Sequence, residues 1–305
     1  MLILKKLTFA PLFLISLILL IYNLAPLLKT YDLIFSLSAN NLIQLVIISA
    51  LISMSSFLFV LFSIFSLNWK LILPVGIFGS LIPMAFVNQS LGLLMSTGIL
   101  VSLVLSYINL DNIMNTYLTF QPISLLGPPI RRLCSFLIIT FSIVYFLGIN
   151  KVVTEIGFQI PDSLIDTALK IAQPAGSSQL QTTMPELSIP EQQLEMLKKN
   201  PDILKQSGLD PTILDTLNQP EKVSSGQTSE LIKKTVNDQI QSFLKPYLSF
   251  IPALLAILLF LTFQSLASIV NLLIYPLLWL VFYILEKSRF VKFEIEQRPV
   301  KKMVI

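Results

Sequence analysis

The clearest pattern along the chain is a series of long apolar runs separated by short polar breaks. From the N-terminus they cover residues 7–28, 42–67, 71–87, 91–110 and 133–149, and a longer tract occupies 247–285. A helix needs about 20 mainly apolar residues to cross a hydrocarbon core about 30 Å thick. In lipid its backbone polar groups must be satisfied from within. Each run therefore predicts a membrane-spanning helix. The third is short and contains Pro74, Gly76, Gly79 and Pro83, which predicts a kinked or closely packed span whose freed carbonyls are met by neighbouring helices. Asn88-Gln89-Ser90 turns it into the fourth.

The last tract is 39 residues long, about 58 Å as a single helix and nearly twice the core thickness. The polar cluster between Gln264 and Asn271 predicts a hairpin turn at an interface, although no Gly or Pro marks it. The fold class read from this pattern is an all-α polytopic transmembrane bundle of seven spans, or six if the last tract crosses once, with a small helical extramembrane insert. The expected organisation is a five-span bundle over 1–150, a polar insert over 151–246, a C-terminal hairpin over 247–286 and a charged tail over 287–305. Lys5 and Lys6 before the first run give it the look of a signal peptide. Its length, Pro11 and Pro26, and the lack of a small-residue cleavage site before Lys29 favour a retained span.

Within the insert the composition shifts to Gln, Ser, Thr, Pro and charge. Asp162 or Ser163 can cap a short amphipathic helix over 164–172, which ends at Pro174-Ala175-Gly176. Ser188 with Glu191 has capping-box spacing and opens a helix to about Lys199. Two similar openings come next, Asn200-Pro201-Asp202-Ile203-Leu204 and Asp210-Pro211-Thr212-Ile213-Leu214, separated by Gly208. In each, a capping side chain precedes a proline at the first helical position, where its missing amide would be unbonded anyway. Over 191–217 this punctuation resembles the Asn-Pro or Asp-Pro helices of co-chaperone modules that hold apolar helices in a groove. Such a groove, with a protein partner, is what the resemblance implies; a small helical spacer accounts for the same residues and is preferred. A helix over 229–245 places Leu231, Val236, Ile240, Phe243 and Leu244 along one face, fit either to lie on lipid headgroups or to pack on the rest of the insert.

Composition strengthens the membrane reading. Hydrophobic residues make up 54%, charged residues only 12%, and the mean hydropathy is +0.78, against about 25% charged residues in soluble domains. The insert from Lys151 to Lys245 holds 9 basic and 12 acidic residues, leaving 12 basic and 5 acidic for the rest. Basic flanks around an acidic insert suit an anionic lipid surface rather than nucleic acid. The tail, with Glu294 and Glu296 alternating with Phe293 and Ile295 before Arg298 and Lys301-Lys302, predicts a short strand or a disordered segment at the headgroups.

Counting Lys and Arg near span ends gives eleven against five for either span count. With seven spans the richer side holds the insert and tail and leaves Lys5 and Lys6 outside. With six it holds both termini and leaves the insert outside.

Chemistry is sparse. His is absent and Cys134 is the only cysteine, which removes the commonest general base, imidazole metal ligands, Ser-His and Cys-His nucleophile pairs and any internal disulfide. The acids outside the insert are Asp32, Asp111, Glu286, Glu294 and Glu296, and no span core carries a charge, which counts against a coupled ion carrier. Arg131 and Arg132, after Gly127-Pro128-Pro129, read as topology-setting flanks at a span boundary; a lipid phosphate contact is the sharper alternative. With Asp111 they are the only weak candidates for lipid chemistry. Ser49, Ser53, Ser55 and Ser56, with Ser96, Thr97, Ser102 and Ser106, could line a solute path. The small-residue spacings Gly76/Ser80, Gly92/Ser96 and Gly98/Ser102 favour close helix packing instead.

No catalytic, cofactor-binding or metal-ligating residue is assigned. The expected function is a non-enzymatic multi-pass scaffold in lipid whose insert or tail binds a protein, with a passive channel or facilitative transporter lined by Ser, Thr and Asn as the alternative. The absence of His and the Ile-, Leu-, Lys- and Asn-rich usage fit an AT-rich bacterial genome, hence a bacterial plasma membrane.

Overall fold

The computed structural model describes residues 6–30, 39–117, 120–156, 247 and 249–291. The helices expected over 164–172, 188–199, 200–217 and 229–245, and the tail from 292 onward, lie outside the described residues. The chain divides into two compact units, Met1–Lys151 with Pro252–Ile305, and Val152–Ile251. The apolar helices belong almost wholly to the first.

All regular structure among the described residues is helical. Six elements are long and apolar enough to cross a membrane. These are α1 (Phe9–Leu24, extended by a 3-10 turn Ala25–Lys29), α2 (Ala39–Ser66), α3 (Trp69–Leu81, extended by the one-turn helix Pro83–Phe86), α4 (Gln89–Thr116), α5 (Pro122–Ile156) and α6 (Ile251–Lys287). The chain is a multi-pass membrane protein with an all-α bundle.

α2 is the most buried of the six. Ser16 of α1 and Ser55 of α2 share a hydrogen bond of 2.8 Å, and Phe13 packs on Phe59 with ring centroids 5.2 Å apart. α3 behaves as its composition predicts. Gly79 lies under Leu17 and Phe13 of α1, so a Cβ there would come within 3.1 Å of the Leu17 side chain. The helix is interrupted at Ile82, before Pro83. Pro83 deprives the Gly79 carbonyl of its helical donor, and the Ile82 amide reaches that carbonyl at 3.3 Å instead; beside the break the Ser96 hydroxyl of α4 donates to the Ser80 carbonyl.

Between α2 and α3 the chain reverses through Leu67 and Asn68. The Asn68 side chain accepts from the Lys70 amide at 3.1 Å and caps α3, while Leu67 adopts φ 39°. A left-handed conformation costs a residue with a Cβ about 1–2 kcal/mol. Leu67 is half-exposed, so little packing is at stake. Leu67→Gly is expected to leave the protein as stable as wild type or raise its stability by up to about 1 kcal/mol. A clear fall in its thermal midpoint in detergent would show that the Leu67 side chain holds the turn.

Two expectations change. The C-terminal tract is one continuous helix with no turn between Gln264 and Asn271, so the described residues hold six helices fit to span, matching the lower of the two counts expected from sequence. The buried positions of α6 explain why. Leu255, Leu259, Phe263, Ala267, Asn271, Ile274, Leu278 and Phe282 recur at three- and four-residue intervals and form one inward stripe. Asn271 belongs to that stripe and Gln264 lies beside it. Two of the polar residues that resembled an interfacial turn, Gln264 and Asn271, therefore face a neighbouring helix, while Ser265 and Ser268 are exposed. At about 55 Å, α6 exceeds the core thickness and must tilt or project beyond it.

The second change concerns Gly127-Pro128-Pro129, which does not bound a span but lies inside α5, five to seven residues after Pro122. Proline removes a helical donor and strands the carbonyl four residues earlier. Here those carbonyls belong to Ser124 and Leu125, in the first turn of α5, where groups of the headgroup layer can reach them.

The two ends of the bundle are identified by side-chain contacts. At one end Phe65, closing α2, meets Phe9 of α1 (5.2 Å), Phe282 of α6 (6.2 Å) and Phe290 after it (5.8 Å), while Phe120 before α5 meets Phe282 (5.4 Å). At the other, Tyr22 of α1 meets Phe86 (6.2 Å), and Gly148 of α5 lies against the Leu28 carbonyl and Leu91 of α4. The start of α1 and the finish of α6 thus share one end.

Candidate functional site

Two features could carry function: a polar seam inside the bundle, and the charged, aromatic end where α1 starts and α6 finishes. The seam gathers side chains from α2, α5 and α6. Ser53 of α2 lies 3.7 Å from the Cys134 sulfur of α5, and Asn271 of α6 reaches the same thiol. Two turns earlier on α6, Gln264 Nε2 donates to Ser135 Oγ at 3.3 Å. Ser53, Cys134 and Asn271 are all buried. A group with no water available must find a protein partner or bear its desolvation cost, and helix-to-helix hydrogen bonds in lipid meet that need. The Asn271 Oδ1 and Gln264 Oε1 oxygens are buried and have no partner, so Gln264 is held through its NH2 side alone.

The serines singled out from sequence are placed by the same rule. Ser49 and Ser56 donate to the carbonyls of Leu45 and Ile52 on their own helix, both at 2.9 Å. Ser55 bonds Ser16, Ser96 bonds the Ser80 carbonyl, and Ser102 bonds the Gly98 carbonyl at 2.7 Å and Thr140 of α5 at 3.3 Å. Thr97 donates to Leu94 O from an exposed position. Ser106 is buried with no partner for its hydroxyl. The small-residue spacings work as contacts: a Cβ at Gly92 would meet the backbone of Met84, and one at Gly98 would run into the Thr140 side chain. Most of these side chains are spent on helix bonds; Thr97 and Ser102, with Thr140, line an open, mainly apolar pocket of about 330 Å³ between α4 and α5 that the other serines do not join.

The charged end collects the sequence candidates for lipid chemistry without making a reaction centre of them. Arg132 Nη1 donates to Asn109 Oδ1 of α4 at 2.6 Å. Arg131 instead lies over the Tyr275 ring of α6, 5.5 Å from its centroid. Asp111 accepts from Asn115 at 3.3 Å, one turn along α4. The paired arginines therefore diverge and clamp α5 to two different helices, a role the sequence did not reveal because both partners lie far along the chain. Asp32, Glu294 and Glu296 lie outside the described residues. Among those described, no three Cys, Asp or Glu side chains come close enough to hold a metal ion.

Trp69 packs on Tyr107 (5.4 Å) and Trp279 stacks on Tyr283 (5.5 Å) at this same end, the residue types expected at a membrane–water boundary. Lys287, in the last turn of α6, sits over the Tyr283 ring at 5.9 Å. No protein-family model, curated protein or solved structure matches the chain.

Proposed function

We propose that the chain is a non-enzymatic scaffold of a bacterial plasma membrane. Both termini lie in the cytoplasm, and segment 151–246 is offered to a protein partner on the opposite face. The observation that supports it is the commitment of most of the bundle's buried polar side chains to helix–helix and helix–backbone bonds, Ser63, Ser66 and Ser106 being the serines left over. A conduit would aim such groups at a shared path. Here Ser53 of α2 bonds the Cys134 thiol of α5, with Asn271 of α6 close to the same thiol, and most of the buried serines bond a helix carbonyl or a neighbouring hydroxyl.

The orientation follows from six spans and charge. The end that gathers the start of α1 and the finish of α6 also carries Lys6, Lys70, Arg131, Arg132, Lys287 and Arg289. By the positive-inside rule this end is cytoplasmic. A single crossing by α6 keeps Lys5 and Lys6 on that side and removes the conflict that seven spans would create.

Thiol labelling tests the topology directly. In a Cys134→Ser background, single cysteines at Ser178 or Ser225 are expected to react with an impermeant reagent on intact cells. A cysteine at Ser288 is expected to react only after the cells are opened. Labelling of all three sites, or of none, would refute this orientation. The scaffold assignment has its own test: purified protein in liposomes should move ions and small solutes no faster than empty vesicles, and any specific flux would decide for the channel or carrier.

A further inference from the structure

At the charged end an open groove of about 530 Å³ separates the beginning of α5 from the last turns of α6. Phe120 and Gln121 form one wall; Trp279, Phe282, Tyr283 and Glu286 form the other. Phe120 and Phe282 meet at 5.4 Å with their planes tilted by 55°, and Trp279 and Tyr283 stand stacked beside them. Glu286 is the charged residue of the lining. Lys287 follows it in sequence, with its ammonium over Tyr283.

This combination selects for a cation. Aromatic faces carry negative potential and attract ammonium groups, most strongly where water is partly excluded, and aromatic cages for alkylated ammonium ions are built this way. A carboxylate among the rings adds direct charge attraction. The volume falls in the range of small-molecule sites. About two turns below the groove α6 presents exposed Leu272 and Leu273, a surface for acyl chains.

We infer that the groove binds the headgroup of an ethanolamine-type phospholipid. Its ammonium sits against Glu286 and the rings, its phosphate turns toward Lys287, and its chains lie along α6. The order of charges supports this occupant: a carboxylate within the groove and an ammonium beside it complement a zwitterion. An anionic glycerol headgroup would satisfy Lys287 but bring no cation to Glu286. Such a site needs α6 to cross the bilayer once, and it is independent of what the insert binds.

The chain has two tryptophans, Trp69 and Trp279, so Trp69→Phe leaves Trp279 as a reporter in the groove. The W69F protein would be placed in bilayers containing equal fractions of ethanolamine and glycerol phospholipids, with one or the other brominated near the top of its chains. Brominated ethanolamine lipid is expected to quench Trp279 about two- to fivefold more effectively than its glycerol counterpart. Adding Glu286→Gln should abolish the difference. Equal quenching in W69F, stronger quenching by the glycerol lipid, or a preference that survives E286Q would overturn the proposal. Relief of quenching by soluble glycerophosphoethanolamine would show that a free headgroup, not a membrane lipid, is the ligand and would also overturn it. The wild-type protein gives a readout without substitution: in detergent, ethanolamine lipid should raise its thermal midpoint more than glycerol lipid, and the reverse order counts against the site.

Discussion

Gly148→Ala is expected to destabilise the bundle, whereas Gly76→Ala, a similar change in another spanning helix, is not. A Cβ at Gly148 would come within 2.7 Å of the Leu28 carbonyl oxygen, a backbone atom at the end of α1. Backbone cannot rotate aside, so α5 and α1 must separate, and overpacking of this kind costs about 1–3 kcal/mol. Helix propensity works the other way, since Ala is favoured over Gly by about 1 kcal/mol. The steric term wins at Gly148. At Gly76 the nearest atom to a new Cβ is Leu103 Cδ1 at 3.9 Å, an ordinary contact, so propensity alone operates and the change should be neutral or slightly stabilising. Thermal midpoints of the purified variants in one detergent would separate them. If G148A and G76A melt together, α1 and α5 do not approach so closely. Gly148→Leu should exceed G148A and lower the yield of folded protein.

Asn271→Asp is expected to be the most damaging single change in α6. Asn271 is 8% exposed within a helix otherwise fit for lipid, and its polar neighbour, the Cys134 thiol, is a weak hydrogen-bond partner. A carboxylate at the centre of a membrane helix costs about 2.5–3.5 kcal/mol on insertion scales. Asn271→Leu removes only the bond to the thiol, and interhelical hydrogen bonds in membranes average about 0.6 kcal/mol. The expected ranking is wild type, then N271L with a small loss, then N271D with a large one, read as recovery of monodisperse protein and as thermal midpoint. Equal damage from N271L and N271D would mean that the shape of the side chain, not its charge, matters there. An N271D protein as robust as wild type would place that position in water and remove the case for a buried seam.

Of the six spans, five follow directly from apolar run length, because lipid demands a continuous satisfied backbone and leaves helix as the remaining option for each run. The boundaries are less legible. α5 begins at Pro122, not near Leu133: Pro122 fits the first helical position, and the helix runs on through Pro128 and Pro129 although they deprive the Ser124 and Leu125 carbonyls of their helical donors. In α6 the cluster from Gln264 to Asn271 points the wrong way when judged by polarity alone, since polarity signals either a turn or an inward face. Periodicity favours the second: Phe263, Ala267, Asn271 and Ile274 lie on one side of a helix.

The groove near Trp279 shows the opposite limit. Each of its residues could be read as part of an interfacial belt. Nothing local joins Phe120 and Gln121 to residues more than 150 positions away. Arg131 and Arg132 behave the same way, adjacent in sequence but committed to Tyr275 and Asn109 on different helices.

By itself the sequence determined that this is an all-α membrane chain, with uncharged span cores and an excess of cations outside its acidic insert. Those properties depend on solvation and composition, which are local. The tertiary structure alone decided that α6 is one unbroken helix, that Ser16 and Ser55, and Ser53 and Cys134, join neighbouring helices, and that four aromatic rings and one carboxylate share a groove. Those outcomes depend on which helix faces meet, and a face acquires its partner only when distant segments pack.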